Sequence, residues 1–289
     1  MMSLDHKIDF AVVLTVHKAN PNGDPLNGNR PRQDYDGHGE ISDVAIKRKI
    51  RNRLLDMGEM VFVQSNDKQI DGYSSLKARA EAHPELEKLL QEKQDVSDLF
   101  ASIACQEWID VRSFGQVFSF KGKAKGKGVS VGVRGPVSIH TATSIDPIDI
   151  SSMQITKSVN SETSDIKGSD TMGMKHRVDF GVYVFYGSIN TQLAEKTQFS
   201  NEDAEKIKET LRTLFVNDVS SARPEGSMEV YKVYWWEHSS KLGQYSSAKV
   251  HRALKIKSKT DEPNTIDDYA IELDDSDIPG LKVKIIDGV

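Results

Sequence analysis

An α+β fold is predicted for this chain of 289 residues by three observations. Residues 8–16, Ile-Asp-Phe-Ala-Val-Val-Leu-Thr-Val, are β-branched and apolar in the manner of a buried strand. In residues 43–56, Ile46, Ile50 and Leu54 recur at helical spacing. Residues 178–186 set Val178, Phe180, Val182, Val184 and Tyr186 in alternation with Asp179, Gly181, Tyr183 and Phe185. With the stretches that read as insertions set aside, the order is strand, helix, strand pair, strand, helix, strand. That is the split βαβ plan of ferredoxin-like and RNA-recognition-motif (RRM) domains.

The elements follow in order. After the first strand comes a turn-rich loop, His17 to Arg32, dense in Asn, Gly and Pro. Ser42 is placed to cap the next helix and Asp43 suits its positive end. Opposite the apolar stripe lie Lys47 and Arg51, one turn apart, with Arg48, Lys49, Asn52 and Arg53 around them. Residues 84–92 and 96–108 read as inserted helices, the first opened by Pro84 and the second capped by Asp95. Asp110 to Phe120 reads as a strand entered through a bend at Gly115, with Val117 and Ser119 alternating against Phe118 and Phe120. Lys121 to Gly128 is a Lys/Gly loop, and valines at 129, 131 and 133 mark a returning strand. Residues 137–176 show little periodicity and read as a long functional excursion. Ser200-Asn-Glu-Asp203 opens a helix as a capping-box variant, with Ile207, Leu211, Leu214 and Phe215 on its apolar face. Strands at Met228–Trp236 and Leu281–Ile286 complete the set. No internal repeat is visible.

The composition, 37% hydrophobic and 28% charged, is that of a globular protein with no apolar run long enough to span a bilayer. The N-terminal residues do not read as a secretory signal, and Cys105 alone admits no internal disulfide, so a reducing cytoplasm is expected. Net charge is −5, yet residues 260–289 hold nine acidic against two basic residues, leaving the rest slightly positive. That acidic region reads as a solvated surface or a docking face for a basic partner.

Enzyme motifs fail on spacing. The glycines of Gly122 to Gly128 are separated by three residues where a phosphate loop needs four. Asp34-Tyr-Asp-Gly-His-Gly39 begins like a calcium loop, but its twelfth position is Ala45. Scattered histidines and one cysteine offer no zinc site, so no metal or cofactor is expected. Nucleic-acid binding fares better, because five cations in residues 42–55 stand against Asp43 alone. A solvated basic face is the plainer reading of the helix by itself. The aromatic signature by which RRM sheets stack bases is absent, so RNA would be held by loops and helix faces. Phe118, Phe120, Tyr234, Trp235 and Trp236 read as core.

Taken together, Ala19-Asn-Pro-Asn-Gly-Asp-Pro25, Asn29-Arg-Pro-Arg32, Ser42 to Arg51, Asp110-Val-Arg-Ser-Phe-Gly115 and Gly173-Met-Lys-His176 resemble the backbone subunit of type I CRISPR surveillance complexes, the Cascade assemblies. Within that family the chain looks most similar to the type I-C branch, with I-B as the alternative. The resemblance implies a non-catalytic scaffold of antiviral defence that binds CRISPR RNA (crRNA). Copies would polymerise as a helical filament along the guide, contact other Cascade subunits and present the guide to target DNA. The fold implied is a modified RRM/ferredoxin-like palm with a helical finger insertion and an extended thumb hairpin. Its expected boundaries are palm 1–56, finger 57–108, palm with the Lys/Gly loop 109–136, thumb 137–176 and palm with the acidic C-terminal region 177–289.

The resemblance implies RNA phosphate contacts from Lys47, Arg48 and Arg51 and polar loop contacts from Asn20, Asn22 and Ser42. Arg112, Phe114, Gly115 and Gln116 would line the RNA path, and Lys175 and His176 would close the clasp at the thumb's base. Met153 and Ile155 are the candidates for wedging between nucleotides. Phe114 as core and His176 as a structural donor remain the plainer readings. Lys121, Lys123, Lys125 and Lys127 are candidate contacts to displaced or target DNA. The alternative function is an RRM-fold, metal-dependent ribonuclease for crRNA processing or target-RNA cleavage, for which Asp24 and Asp36 are the loop carboxylates to consider.

Overall fold

The computed structural model describes residues 3–92, 96–120, 129–157 and 172–289. β1 (Ile8–Ala19) is buried along almost its whole length. Its pleat sends Phe10, Val12, Leu14 and Val16 into one apolar cluster and Ala11 and Val13 into another on the opposite face. A short ribbon follows, β2 (Gly23–Asp24) and β3 (Arg30–Pro31), then β4 (His38–Ile41) and α1 (Asp43–Asp56). Ser42 caps α1 by accepting from Ala45 N, and Ile46, Ile50 and Leu54 are buried as their spacing predicts.

The inserted region holds α2 (Leu76–Ala82), α3 (Pro84–Gln91) and α4 (Ser97–Glu107). α2 had no sequence signal beyond its Ser75 cap. Asp95, the expected cap of α4, lies outside the described residues, and Val96 precedes the helix without a side-chain cap. Burial pushes the Cys105 thiol on α4 up to about 11, consistent with a packed residue. Residues expected as the start of a strand form a short helix, α5 (Ile109–Phe114), before β5 (Gly115–Phe120). Gly115 makes the switch at φ +79, and a Cβ there would stand 2.3 Å from the Val133 carbonyl oxygen.

Among the described residues, β5 and β6 (Val129–Arg134) pair only with each other. The expected strand pair is therefore not part of the main sheet. It packs on the helical insertion through Phe118 and Val131, which join Phe62, Leu86, Phe100 and Trp108 in a third cluster. Its expected place is taken by β7 (Val137–Ile139) and β8 (Ala142–Pro147), from the stretch that had seemed aperiodic. Polar residues hid the pattern: Ser144 Oγ accepts from Gly39 N at 2.8 Å, so a hydroxyl replaces an apolar side chain at a buried strand position.

β9 (Ile150–Thr156) pairs with the first third of β10 (Met172–Ile189), the 18-residue strand whose remainder lies against β1. α6 (Thr191–Thr197) precedes α7 (Asn201–Arg212), whose Ser200 and Asp203 form the capping box. β11 (Met228–Glu237), α8 (Ser247–His251), β12 (Leu254–Ser258), β13 (Tyr269–Leu273) and β14 (Lys282–Asp287) complete the chain. The main sheet has the order β14-β11-β1-β10-β8-β4, with β7 and β9 also on β10, and its pairs are antiparallel.

α1 and α7 contribute to the first face. The acidic C-terminal region covers the second: Leu254, Tyr269, Ile278 and Leu281 pack with Val13, Val182 and Trp236, while Asp261, Glu262, Glu272, Asp274 and Asp277 are exposed. That region is thus a structural layer with a solvated acidic outer side. No helix among the described residues is long and apolar enough to cross a membrane.

The third cluster yields a direct test. Phe118→Ala should cost about 3–5 kcal/mol through the cavity it leaves. Val117→Ala, on the exposed side of the same strand, should stay within about 0.5 kcal/mol. Denaturant midpoints of the two variants would check this.

Candidate nucleic-acid interface

Two clefts share a common ridge in their walls. The ridge joins the loop after β1 to the segment between α7 and β11, and Asn20 N donates to Ala222 O at 2.9 Å across it. The first cleft is walled by Asn22 and Gly23, by Arg48, Lys49 and Asn52 of α1, and by Asp67, Lys68, Asp218, Ser220 and Arg223. The second runs to the foot of the β9–β10 hairpin and is walled by Asn20, Gly28, Asn29, Ile155, Met174, Lys175, His176 and Ser221. Asn20, Asn22, Arg48, Ile155, Lys175 and His176, all singled out from the sequence, thus meet around one ridge.

The loop is held by its own amides. Asn22 Oδ1 accepts from both Ser42 N and Ser42 Oγ at 2.9 Å, tying the loop to the N-terminus of α1. Arg30 Nη1 donates to Ser152 Oγ at 2.9 Å, and Ser152 Oγ lies 2.7 Å from His176 Nδ1, so the loop is also fastened to the hairpin. Met153 and Lys175 are cross-strand partners, as are Ile155 and Gly173. Met153, Ile155, Met172 and Met174 are all exposed.

The cations of α1 have unequal situations. Arg48 is exposed and pairs with exposed Asp67 at 2.9 Å, while Lys47 pairs with Asp43 one turn back. Lys49 is buried beside Ile50, paired with Asp218 and lying over the Phe215 ring. Burial, with Arg223 close by, draws its pKa down to about 8 despite the opposing pull of Asp218. Arg51 pairs with buried Asp110 at 2.9 Å and lies over the Phe114 ring, and Asp110 also accepts from Phe62 N and Val63 N. Arg112 makes a two-pronged contact with buried Asp203, the residue that closes the capping box of α7.

Lys49, Arg51 and Arg112 therefore fasten α1, α5, α7 and the 217–223 segment together. The excess of cation over acid read from the local sequence of α1 is balanced by carboxylates 59 and 169 residues away. Arg112, Phe114, Gly115 and Gln116 line neither cleft. Gln116 Nε2 donates to Val117 O, and Gly115 serves the helix-to-strand turn. Lys121, Lys123, Lys125 and Lys127 lie outside the described residues.

A family model described as CRISPR-associated protein Cas7 matches residues 6–274. The chain belongs to the Cas7 family. It is similar to a CRISPR-associated protein Cas7 of Haloferax volcanii, 26% identical over 219 residues, which cover 71% of this chain. The chain spans 63% of that relative's length. Among solved structures it is similar to a chain of a CRISPR RNA-guided surveillance complex, pre-nicking, with a TM-score of 0.49 and 16% identity over 80% of this chain and 75% of that one. A second, from a CRISPR RNA-guided surveillance complex, gives a TM-score of 0.42 and 16% identity, covering 80% and 68%.

In this Cas7-family chain, the cleft residues Asp67, Lys68, Asp218, Ser220, Ser221 and Arg223 carry no signal in the sequence. Each sits in an irregular segment with no periodic or capping signal, and only the fold brings it beside the loop. Among the described residues no three His, Cys, Asp or Glu side chains converge to hold a metal ion.

Two predictions separate fastening cations from exposed ones. Asp203→Ala strands half-buried Arg112 and opens the capping box of α7, and should cost about 3–5 kcal/mol, whereas Arg48→Ala should cost under about 1 kcal/mol, both read from denaturant midpoints. Lys49 titrates near 8 when folded and near 10.4 when unfolded, so the unfolded state binds more protons between these values. Lys49's contribution should therefore make the unfolding free energy rise with pH from about 8 to 10.4. Lys49→Met, which leaves Asp218 paired with Arg223, should remove that rise.

Proposed function

We propose that this Cas7-family chain is the non-catalytic crRNA-binding backbone subunit of a type I-C Cascade complex. It polymerises along the guide spacer and presents it for pairing with invading DNA. The observation that carries the reading is the pair of clefts around the 20–22 and 220–222 ridge. Amides, hydroxyls and cations line them, at the foot of a hairpin with exposed apolar side chains. Such a lining suits a sugar–phosphate backbone, and it leaves base edges unread, as a carrier of arbitrary guides requires.

In this reading the main sheet with α1 and α7 is an RRM-like palm, the α2–α4 region the finger, and the β9–β10 hairpin the thumb. Arg48 and Lys175 meet phosphates from the two clefts. Lys47, Asn20, Asn22, Ser42 and His176 shape the same path, and Met153 or Ile155 supplies the apolar wedge. Arg51, Arg112 and Phe114 act behind the surface, by holding α1 and α5 in place, and Gly115 and Gln116 belong to the turn into β5. Lys121, Lys123, Lys125 and Lys127, between β5 and β6, contact target DNA. Neighbouring copies and other Cascade subunits complete the assembly.

Co-expression with a CRISPR RNA tests this. A large ribonucleoprotein whose guide is protected whatever its spacer sequence is expected, and a monomer free of RNA at low salt overturns the reading. Arg48→Glu and Lys175→Glu should weaken binding equally across sequences and each lower the salt slope by about 1. Reversing the four lysines of 121–127 should lower target-DNA affinity and leave guide binding intact.

A further inference from the structure

A residue in the wall of the second cleft carries a polar atom with an unmet requirement. Asn20 is only 4% exposed. Its main-chain N–H is bonded to Ala222 O at 2.9 Å and its Nδ2 donates to Asn29 O at 2.7 Å, so backbone and amide are both fixed. Its Oδ1, buried beneath the cleft wall, has no hydrogen-bond partner among the described residues. Exchanging the amide's oxygen and nitrogen does not help, since it would set two acceptors, Oδ1 and Asn29 O, against each other. A buried acceptor without a donor costs about 1–3 kcal/mol, and a site that keeps one is complete only when a donor arrives.

The rest of the lining limits what that donor belongs to. Lys175 offers a cation, His176 a ring, and Met174 and Ile155 an apolar surface. This suits a nucleotide unit, with anion, sugar and base, better than a free anion. A phosphodiester has no proton to donate, and base amino groups change with sequence, so neither can serve a subunit that carries any guide. The donor common to every ribonucleotide, and missing from DNA, is the ribose 2′-hydroxyl.

We propose that Asn20 Oδ1 accepts a hydrogen bond from a ribose 2′-hydroxyl and makes this cleft the point at which the protein distinguishes RNA from DNA. The inference rests on the RNA-scaffold reading above. Because the oxygen is closed off, the Asn20 amide or the Gly28–Asn29 turn bonded to it shifts when the sugar docks. Both turn residues sit at φ +58 and are exposed; Gly28 has open space around it, while Asn29 rests on Gly23 and its N donates to Asp24 O, so a shift of the turn carries the short β2–β3 ribbon with it.

The full-length protein would be titrated with one single-stranded RNA and its 2′-fluoro counterpart, which keeps the RNA-like sugar pucker but cannot donate. The wild type should bind the 2′-fluoro strand about 3- to 10-fold more weakly per protomer, the worth of one neutral hydrogen bond. Asn20→Leu should bring the ratio to about one, and Asn20→Gln, which keeps both an acceptor and a donor, should retain it at lower overall affinity. A wild-type ratio of one, or an unchanged ratio in a folded Asn20→Leu, overturns the proposal. If Asn20→Leu does not fold, the ratio in Asn20→Gln decides, and its collapse to one has the same meaning. Failure to bind either strand overturns the RNA-scaffold reading itself, which is distinct from binding both equally.

Discussion

Burial of β1 on both faces is the constraint on which the rest of the structure depends. A strand whose successive side chains all leave water needs a packed layer on each side. Phe10 and Trp235 stack on the first side, with ring centroids 5.7 Å apart, and Trp236 lies on the second. The first layer draws on α1 and α7. The second is made by residues 238–281, and for this reason the acidic C-terminal region is built into the fold. Its charges stay in water while Tyr269, Ile278 and Leu281 go inward.

The same constraint places the interface. β1 ends at Ala19, where the chain leaves the sheet after Lys18 in a left-handed conformation. The loop that follows is bonded to the α7–β11 segment, to Ser42 and to the hairpin. The candidate surface is thus a junction of four segments held at the rim of a rigid sheet. The ion pairs Lys49–Asp218, Arg51–Asp110 and Arg112–Asp203, each with one buried partner, stiffen that junction from behind. Such pairs contribute little net stability but are costly to break, so they set position more than they add free energy.

A cation-rich helix is an ambiguous signal for this reason. Of the basic residues on α1, Arg48 is the exposed one beside the first cleft, and Lys49, Arg51 and Arg53 are turned to Asp218, Asp110 and Thr213. Charge density along a segment does not distinguish a cation that faces solvent from one that meets a carboxylate brought from elsewhere. The two clefts remain cationic through Lys175, Arg48, Lys68 and Arg223, drawn from four separate parts of the chain.

Local physics made much of this legible in advance. A β-branched apolar run marked β1, alternation over 178–186 marked the body of β10, helical spacing with a Ser cap marked α1, and Ser200 with Asp203 marked α7. Those signals depend on neighbours a few residues apart, which the amino-acid order states directly. The loop at 20–32 was likewise visible from its Asn, Gly and Pro content. What required the folded chain was every feature set by contacts distant in sequence. These are β7 and β8 entering the main sheet through polar residues, β5 and β6 leaving it for the helical insertion, and the carboxylate partners of Lys49, Arg51 and Arg112. The unpartnered oxygen of Asn20 belongs with them, because whether a side chain finds a donor depends on which distant segments fold against it.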